Sequence, residues 1–156
     1  MIKVNVVAVG KVKEKYFESG IAEYSKRLSA FCDFKIIEVE EENFKKTDDS
    51  LALKTVEKEG EKILSKLSGK VVVLTPEGEK KSSEGFAEII KSAISKGENL
   101  TFVIGGSYGL SSAVKQKADK KISFSDMTFP HTLFRLMLTE QIFRSFTILN
   151  GKNYHK

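Results

Sequence analysis

Residues 100–104, LTFVI, form a short, largely apolar run that ends abruptly at Gly105-Gly106-Ser107-Tyr108-Gly109. A short continuous apolar run of this kind is a strand buried on both faces, the habit of parallel sheets. The glycines after it let the chain turn sharply and let a ligand approach the main chain closely. A second apolar fragment, Ile122-Ser123-Phe124, leads into the loop Ser125-Asp126-Met127-Thr128-Phe129-Pro130. Two loops therefore follow two strand ends, the place where open α/β sheets bind ligands. Residues 100–131 are the candidate binding site.

The rest of the chain repeats the strand–helix alternation. Residues 2–9 (IKVNVVAV) are β-branched enough for a central strand, closed by Gly10. Over residues 11–31 the spacing of Tyr16, Ile21, Tyr24, Leu28 and Phe31 predicts a helix, followed by a strand over residues 34–39. The charged run 40–49 reads as a solvated loop. Ser50 then caps a helix over residues 51–67, with Leu51, Val56, Ile63 and Leu64 as its apolar stripe. A strand over residues 71–74 ends in the turn Thr75-Pro76-Glu77-Gly78. Ser82 or Ser83 caps a helix over residues 84–95, with Phe86, Ile89, Ile90 and Ile94 inward and Gly97 as its stop. A helix over residues 111–119 follows the glycines. The expected fold is α/β, a mainly parallel sheet flanked by helices, with one domain over residues 1–156.

The last helix, residues 133–149 (LFRLMLTEQIFRSFTIL), is apolar in nearly every direction around its axis. Such a helix must be covered on more than one side. The sheet supplies one cover; a second subunit is the expected other, which makes the chain a homodimer. The polar tail Lys152-Asn153-Tyr154-His155-Lys156 would ordinarily fray.

Composition narrows the chemistry. One cysteine, Cys32, allows neither an internal disulfide nor a cysteine-based zinc site, and fits a reducing cytoplasm. With His131 and His155 as the only histidines, a multi-histidine metal centre is not expected. No apolar run is long enough to cross a bilayer. The net charge of +5 permits a polyanionic partner without demanding one.

The glycine cluster is not a dinucleotide fingerprint, because Ile104 stands where the first glycine of GxGxxG belongs, and no GK[ST] follows to make a P-loop. It can be a generic ligand loop or a plain turn. His131 is more telling. Pro130 can open the last helix, which puts His131 at the positive end of the helix dipole, a setting for a neutral general base. It can equally be a histidine that only hydrogen-bonds there. Arg135 falls one turn later on the same face. Arg135 or Arg144 can hold a phosphate or pair with an acid such as Glu140.

The stretches VIGGSYGL and SFSDMTFPHTLFRLMLTEQIFRSFTILNGKNYHK, with the N-terminal Val9-Gly10-Lys11, closely resemble the small bacterial ribosomal large-subunit pseudouridine methyltransferases, the RlmH (formerly YbeA) family of the SPOUT class. The resemblance covers the whole chain. It implies a C-terminal trefoil knot, a homodimer, and S-adenosylmethionine held by three loops. On this sequence those are Leu74 and Thr75; Gly105, Gly106 and Gly109; and Phe124, Ser125, Asp126, Met127, Thr128 and Phe129. It also implies methyl transfer to N3 of a pseudouridine in 23S rRNA within the assembled ribosome, with no metal. The candidates for contacting or deprotonating the base are His131, Tyr154 and His155, with Arg135 or Arg144 orienting base or phosphate. Under this reading the tail is functional. The competing readings are a non-catalytic ribosome- or RNA-binding module and a nucleotide-dependent doubly wound enzyme.

Overall fold

The computed structural model describes residues 1–42 and 49–156; residues 43–48 of the expected charged loop lie outside the described residues. Five strands form one sheet: β1 (Lys3–Val9), β2 (Asp33–Val39), β3 (Lys70–Lys80), β4 (Leu100–Ile104) and β5 (Lys120–Ser123). Their order is β2-β1-β4-β3-β5, and every pairing is parallel. The five helices are α1 (Lys15–Leu28), α2 (Asp49–Leu64), α3 (Ser83–Lys96), α4 (Ser112–Lys117) and α5 (His131–Leu149).

Alternation along the strands divides the core in two. Val4, Val6 and Ala8 of β1 point to the face covered by α1, α3 and α5, whereas Val7 and Val9 point to the face covered by α2 and α4. β4 is buried at every residue, which is why its sequence is apolar but for Thr101. Its Thr101 hydroxyl is satisfied by donating to the Ser68 carbonyl at 2.6 Å.

Several boundaries differ from the sequence reading. α1 begins only at Lys15, and Tyr16 on its first turn is 70% exposed; Phe31 lies beyond its end and joins the core from the following turn. α2 starts at Asp49 rather than after a Ser50 cap, and its buried residues are Thr55, Glu59, Gly60 and Ile63. The stripe Leu51, Val56 and Leu64 is only half-buried. Ser82 is the cap of α3, accepting from the Gly85 N–H, and Gly97 ends the helix at φ +65°. Ile94 on α3 is exposed; Ala87 and Ala93 take the inward places. α4 is one short helix with Ser111 as its N-cap, and Asp119 beyond it accepts from the Val71 N–H at 2.8 Å.

Both flanks of α5 are covered within the chain. It packs along α1 on one side and α3 on the other, and Leu136 lies against Gly20 of α1. None of its residues is exposed. The tail after it is not frayed: Lys152 N–H donates to the Thr147 carbonyl, and the Tyr154 ring packs edge-on against Phe143 at 5.0 Å.

Candidate functional site

Three segments meet beyond the C-terminal ends of β3, β4 and β5. The first is an excursion within β3. Leu74 and Glu79 both align with Ile122 of β5, so residues 75–78 are looped out where the sequence reading placed a turn that ends the strand. The strand instead resumes and pairs again. Gly78 is required there, because a Cβ would stand 2.5 Å from the Ile122 backbone. The Thr75 hydroxyl donates to Glu77 at 2.6 Å, and Lys115 of α4 reaches the same carboxylate at 2.5 Å. The Lys115 ammonium and the Thr75 hydroxyl together pull the Glu77 carboxyl down to about 2.

The second segment is the glycine loop. Gly109 has φ +84° and donates its N–H to the Gly106 carbonyl at 3.0 Å, closing a tight hairpin. A Cβ on Gly105 would meet the Gly109 carbonyl oxygen at 2.7 Å, so the two arms of the hairpin touch through bare backbone. The third is the loop between β5 and α5. Ser123 donates to the Ser125 carbonyl, the Ser125 hydroxyl accepts the Met127 N–H, and Phe124 packs on Phe134 at 4.7 Å.

Together they line a cleft of about 290 Å³. Of the expected cofactor contacts, Leu74, Thr75, Gly105, Gly106, Gly109, Phe124, Ser125, Met127, Thr128 and Phe129 line it, as does His131. Asp126 does not: its carboxylate points outward, 84% exposed, onto Lys80. Lining residues not read from the sequence include Ile104 and Ile122 on their strands and Phe134, which stands one helical turn from His131. The walls are apolar side chains and main chain, and among the described residues no Lys, Arg, Asp or Glu lines the cleft. His131 Nδ1 is buried and has no hydrogen-bond partner. An apolar slot with open backbone groups and one orphaned ring nitrogen fits an adenine-bearing cofactor. Among the described residues no group of acids, histidines or cysteines could hold a metal.

The remaining candidates lie elsewhere. Arg135 is 3% exposed and turned away from the cleft, bonded to Glu38 at 2.5 Å and to the Val9 and Gly10 carbonyls. Its position one turn from His131 does not bring their heads together, because the guanidinium reaches across the ends of β1 and β2. Arg144, Tyr154 and His155 gather at the far end of α5. Arg144 and Tyr154 share Glu140 Oε1, at 2.8 and 3.2 Å, and the guanidinium lies 4.9 Å from the Tyr154 ring centre. His155 bonds Arg144 at 3.1 Å through Nδ1 and Glu84 at 2.7 Å through Nε2. Arginine can only donate, so these partners select the tautomer with Nε2–H. Burial, the Tyr24 hydroxyl and the Glu140 charge push the Tyr154 phenol up, keeping it a donor. Thirteen residues of helix separate His131 from Arg144, about 20 Å at 1.5 Å per residue.

The family model "Predicted SPOUT methyltransferase" matches residues 2–155. The chain is 48% identical over 162 residues to the ribosomal RNA large subunit methyltransferase H of Limosilactobacillus reuteri (strain DSM 20016), covering 99% of this chain and all of that protein. It is 49% identical over 159 residues to the protein of the same name from Streptococcus pneumoniae (strain CGSP14), with the same coverage. Among solved structures, a methylase family protein from Haemophilus influenzae Rd KW20 matches with a TM-score of 0.55 at 12% identity, over 99% of this chain and 70% of that one. A Legionella pneumophila protein solved with the bound cofactor SAM matches with a TM-score of 0.51 at 10% identity, over 92% of this chain and 66% of that one. These two likenesses establish the fold.

Proposed function

This chain belongs to the SPOUT methyltransferase family, and from that premise we propose that it transfers a methyl group from S-adenosylmethionine to N3 of a pseudouridine in large-subunit ribosomal RNA. The observation that carries the reading is the meeting of three loops on one uncharged cleft, in a chain that shares about half its residues with named rRNA methyltransferases along its full length.

Leu74, Thr75 and the glycine loop would hold the cofactor through main-chain groups, with Phe124, Met127 and Phe129 against its apolar surfaces. Bound S-adenosylmethionine supplies a methyl group on a sulfonium, ready for in-line displacement. The chain's task is to align the acceptor nitrogen and take up its proton. His131 is the candidate for that proton: it lines the cleft, and its Nδ1 has no competing partner. Closing residues 125–130 over the site would exclude water. The knot implied by the family would thread α5 through this region, and the whole of residues 1–156 would act as one methyltransferase unit.

Arg144, Tyr154 and His155 line no part of their own chain's cleft. Their role in the reaction therefore goes with the second element of the proposal, a homodimer, in which the outer side of the apolar α5 meets a partner and one subunit's tail can serve the partner's cleft. The target in this reading is the assembled ribosome in the cytoplasm, a shaped polyanion that the chain's net charge of +5 would suit. No helix among the described residues is long and apolar enough to cross a membrane.

The test is calorimetry with S-adenosylmethionine, with NAD and ATP as controls, followed by methyl transfer from labelled cofactor to whole ribosomes and to naked 23S rRNA. Selective binding of S-adenosylmethionine and labelling of ribosomes alone are expected. Equal labelling of naked rRNA would remove the assembled-ribosome element, and binding of NAD or ATP instead would sink the methyltransferase reading.

A further inference from the structure

Glu59 is the one carboxylate residue fully buried among the described residues, at 3% exposure. It stands on α2, on the opposite face of the sheet from α5. One of its oxygens, Oε2, accepts the Glu42 N–H at 3.1 Å. The other, Oε1, is buried with no hydrogen-bond partner. That oxygen faces the glycine loop: a Cβ on Gly106 would stand 3.1 Å from it and 3.1 Å from Val9 Cγ1. The next residue, Gly60, seats the far end of the same loop, since a Cβ there would be 2.3 Å from the hydroxyl of Ser111. The pair Glu59-Gly60 is thus the back wall of the loop whose front lines the cleft.

A half-satisfied buried carboxylate is costly, and the fold keeps it where an apolar residue would pack. The charge inventory of the cleft gives it a use. Among the described residues no acid lines the cleft: Asp126 beside it is 84% exposed and turned onto Lys80, and Glu77 is 55% exposed and already paired with Lys115. Resting on the reading of this cleft as the S-adenosylmethionine site, we propose that Glu59 is a positioning and specificity-determining residue: it fixes Gly106 from behind and biases the cleft toward a cationic ligand. The sulfonium cofactor and the thioether left after methyl transfer, S-adenosylhomocysteine, differ by one methyl group and one positive charge. A fixed negative charge behind the loop, acting through a poorly hydrated interior, favours the first over the second and so favours product exchange.

Among the described residues the charged groups facing Glu59 are Glu41 and Glu42 after β2 and Lys62 on its own helix, and Lys62 is engaged by Glu42 at 2.6 Å. Burial raises the Glu59 carboxyl, the Glu42 N–H opposes the rise, and the neighbouring acids add to it. Lowering the pH therefore neutralises Glu59 before ordinary carboxylates, and the preference for the cationic ligand should fade with it.

The experiment is calorimetric titration of the wild-type chain and the Glu59→Gln variant with S-adenosylmethionine and with S-adenosylhomocysteine, at neutral and at acidic pH. The glutamine keeps the shape and can still accept the Glu42 N–H. At neutral pH the variant should bind S-adenosylmethionine about tenfold more weakly, as for one lost charge-assisted contact, and S-adenosylhomocysteine within about twofold of wild type. The wild-type preference should fall on acidification, while that of the variant stays flat. Equal loss for both ligands, or no loss for either, would overturn the charge assignment with the cofactor site intact. A wild-type chain that binds neither ligand would overturn the cofactor reading and this proposal together. Gly106→Ala, which displaces the loop and keeps the charge, should weaken both ligands alike; unaltered binding of both would overturn the positioning role.

Discussion

Arg135 and Glu59 are the two Lys, Arg, Asp or Glu side chains fully buried among the described residues, and the fold treats them in opposite ways. Arg135 on α5 has a carboxylate and two backbone carbonyls at its terminal nitrogens, leaving only Nε without a partner. It ties the start of α5 to the C-terminal ends of β1 and β2. Glu59 on α2 has one backbone N–H and one bare oxygen, and it abuts the loop that lines the cleft. A buried charge with several partners fixes how elements dock. One left half-partnered beside a ligand loop stays free to interact with what the loop binds.

Three measurements would break or sharpen this contrast. The largest effect is expected from Arg135→Met, which strands the Val9 and Gly10 carbonyls and loosens α5. Urea unfolding should show a loss of about 3 kcal/mol, the scale of a broken buried hydrogen-bonded charge. A loss below about 1 kcal/mol would show that Arg135 does not hold the helix. Next is Gly60→Ala, whose new methyl would press on the Ser111 hydroxyl from 2.3 Å. Overpacking of this kind costs about 1–3 kcal/mol, and the thermal midpoint should fall accordingly. Full stability would mean that α2 does not brace the loop tightly.

The smallest effect on stability is expected from Glu59→Gln, and its sign is the informative part. A carboxyl whose pKa is raised on folding contributes stability below its unfolded pKa, and that contribution is lost as the pH rises through the folded value. Above its unfolded pKa the group therefore weakens folding, and at neutral pH the glutamine variant should melt at the same temperature as wild type or higher. Its advantage should shrink as the pH is lowered. A clear drop in the melting temperature at neutral pH would place Glu59 with Arg135 as a structural residue.

Much of the site was legible in the chain. The stop after residues 100–104 and the stop after Ile122 both mark loops that line the cleft, because apolar strand runs and glycine turns are local features. Of the eleven positions the family resemblance named, ten line the cleft; Asp126 does not, its charge finding Lys80 and solvent instead. Other features escaped. Helical spacing placed α2's stripe on Leu51, Val56, Ile63 and Leu64; of these only Ile63 is buried, and the other residues α2 buries, Thr55, Glu59 and Gly60, include an acid and a glycine. A pattern search for apolar residues assigns such positions to solvent. The only signal was the i, i+4 spacing of Thr55, Glu59 and Ile63.

The sequence by itself determined where the strands begin, a cap at Ser82 or Ser83, the glycine loop and the family, since each rests on neighbouring residues and backbone preferences. The tertiary structure decided which charges went inside and which candidates met. His131 and the loops of residues 74–76, 105–109 and 123–129 share one cleft, while Arg135 is taken by β1 and β2 and the tail is held by Glu84 and Glu140. The physical reason is that a charged side chain settles where partners from distant segments satisfy it, and those partners are brought together only by the packing of the whole sheet.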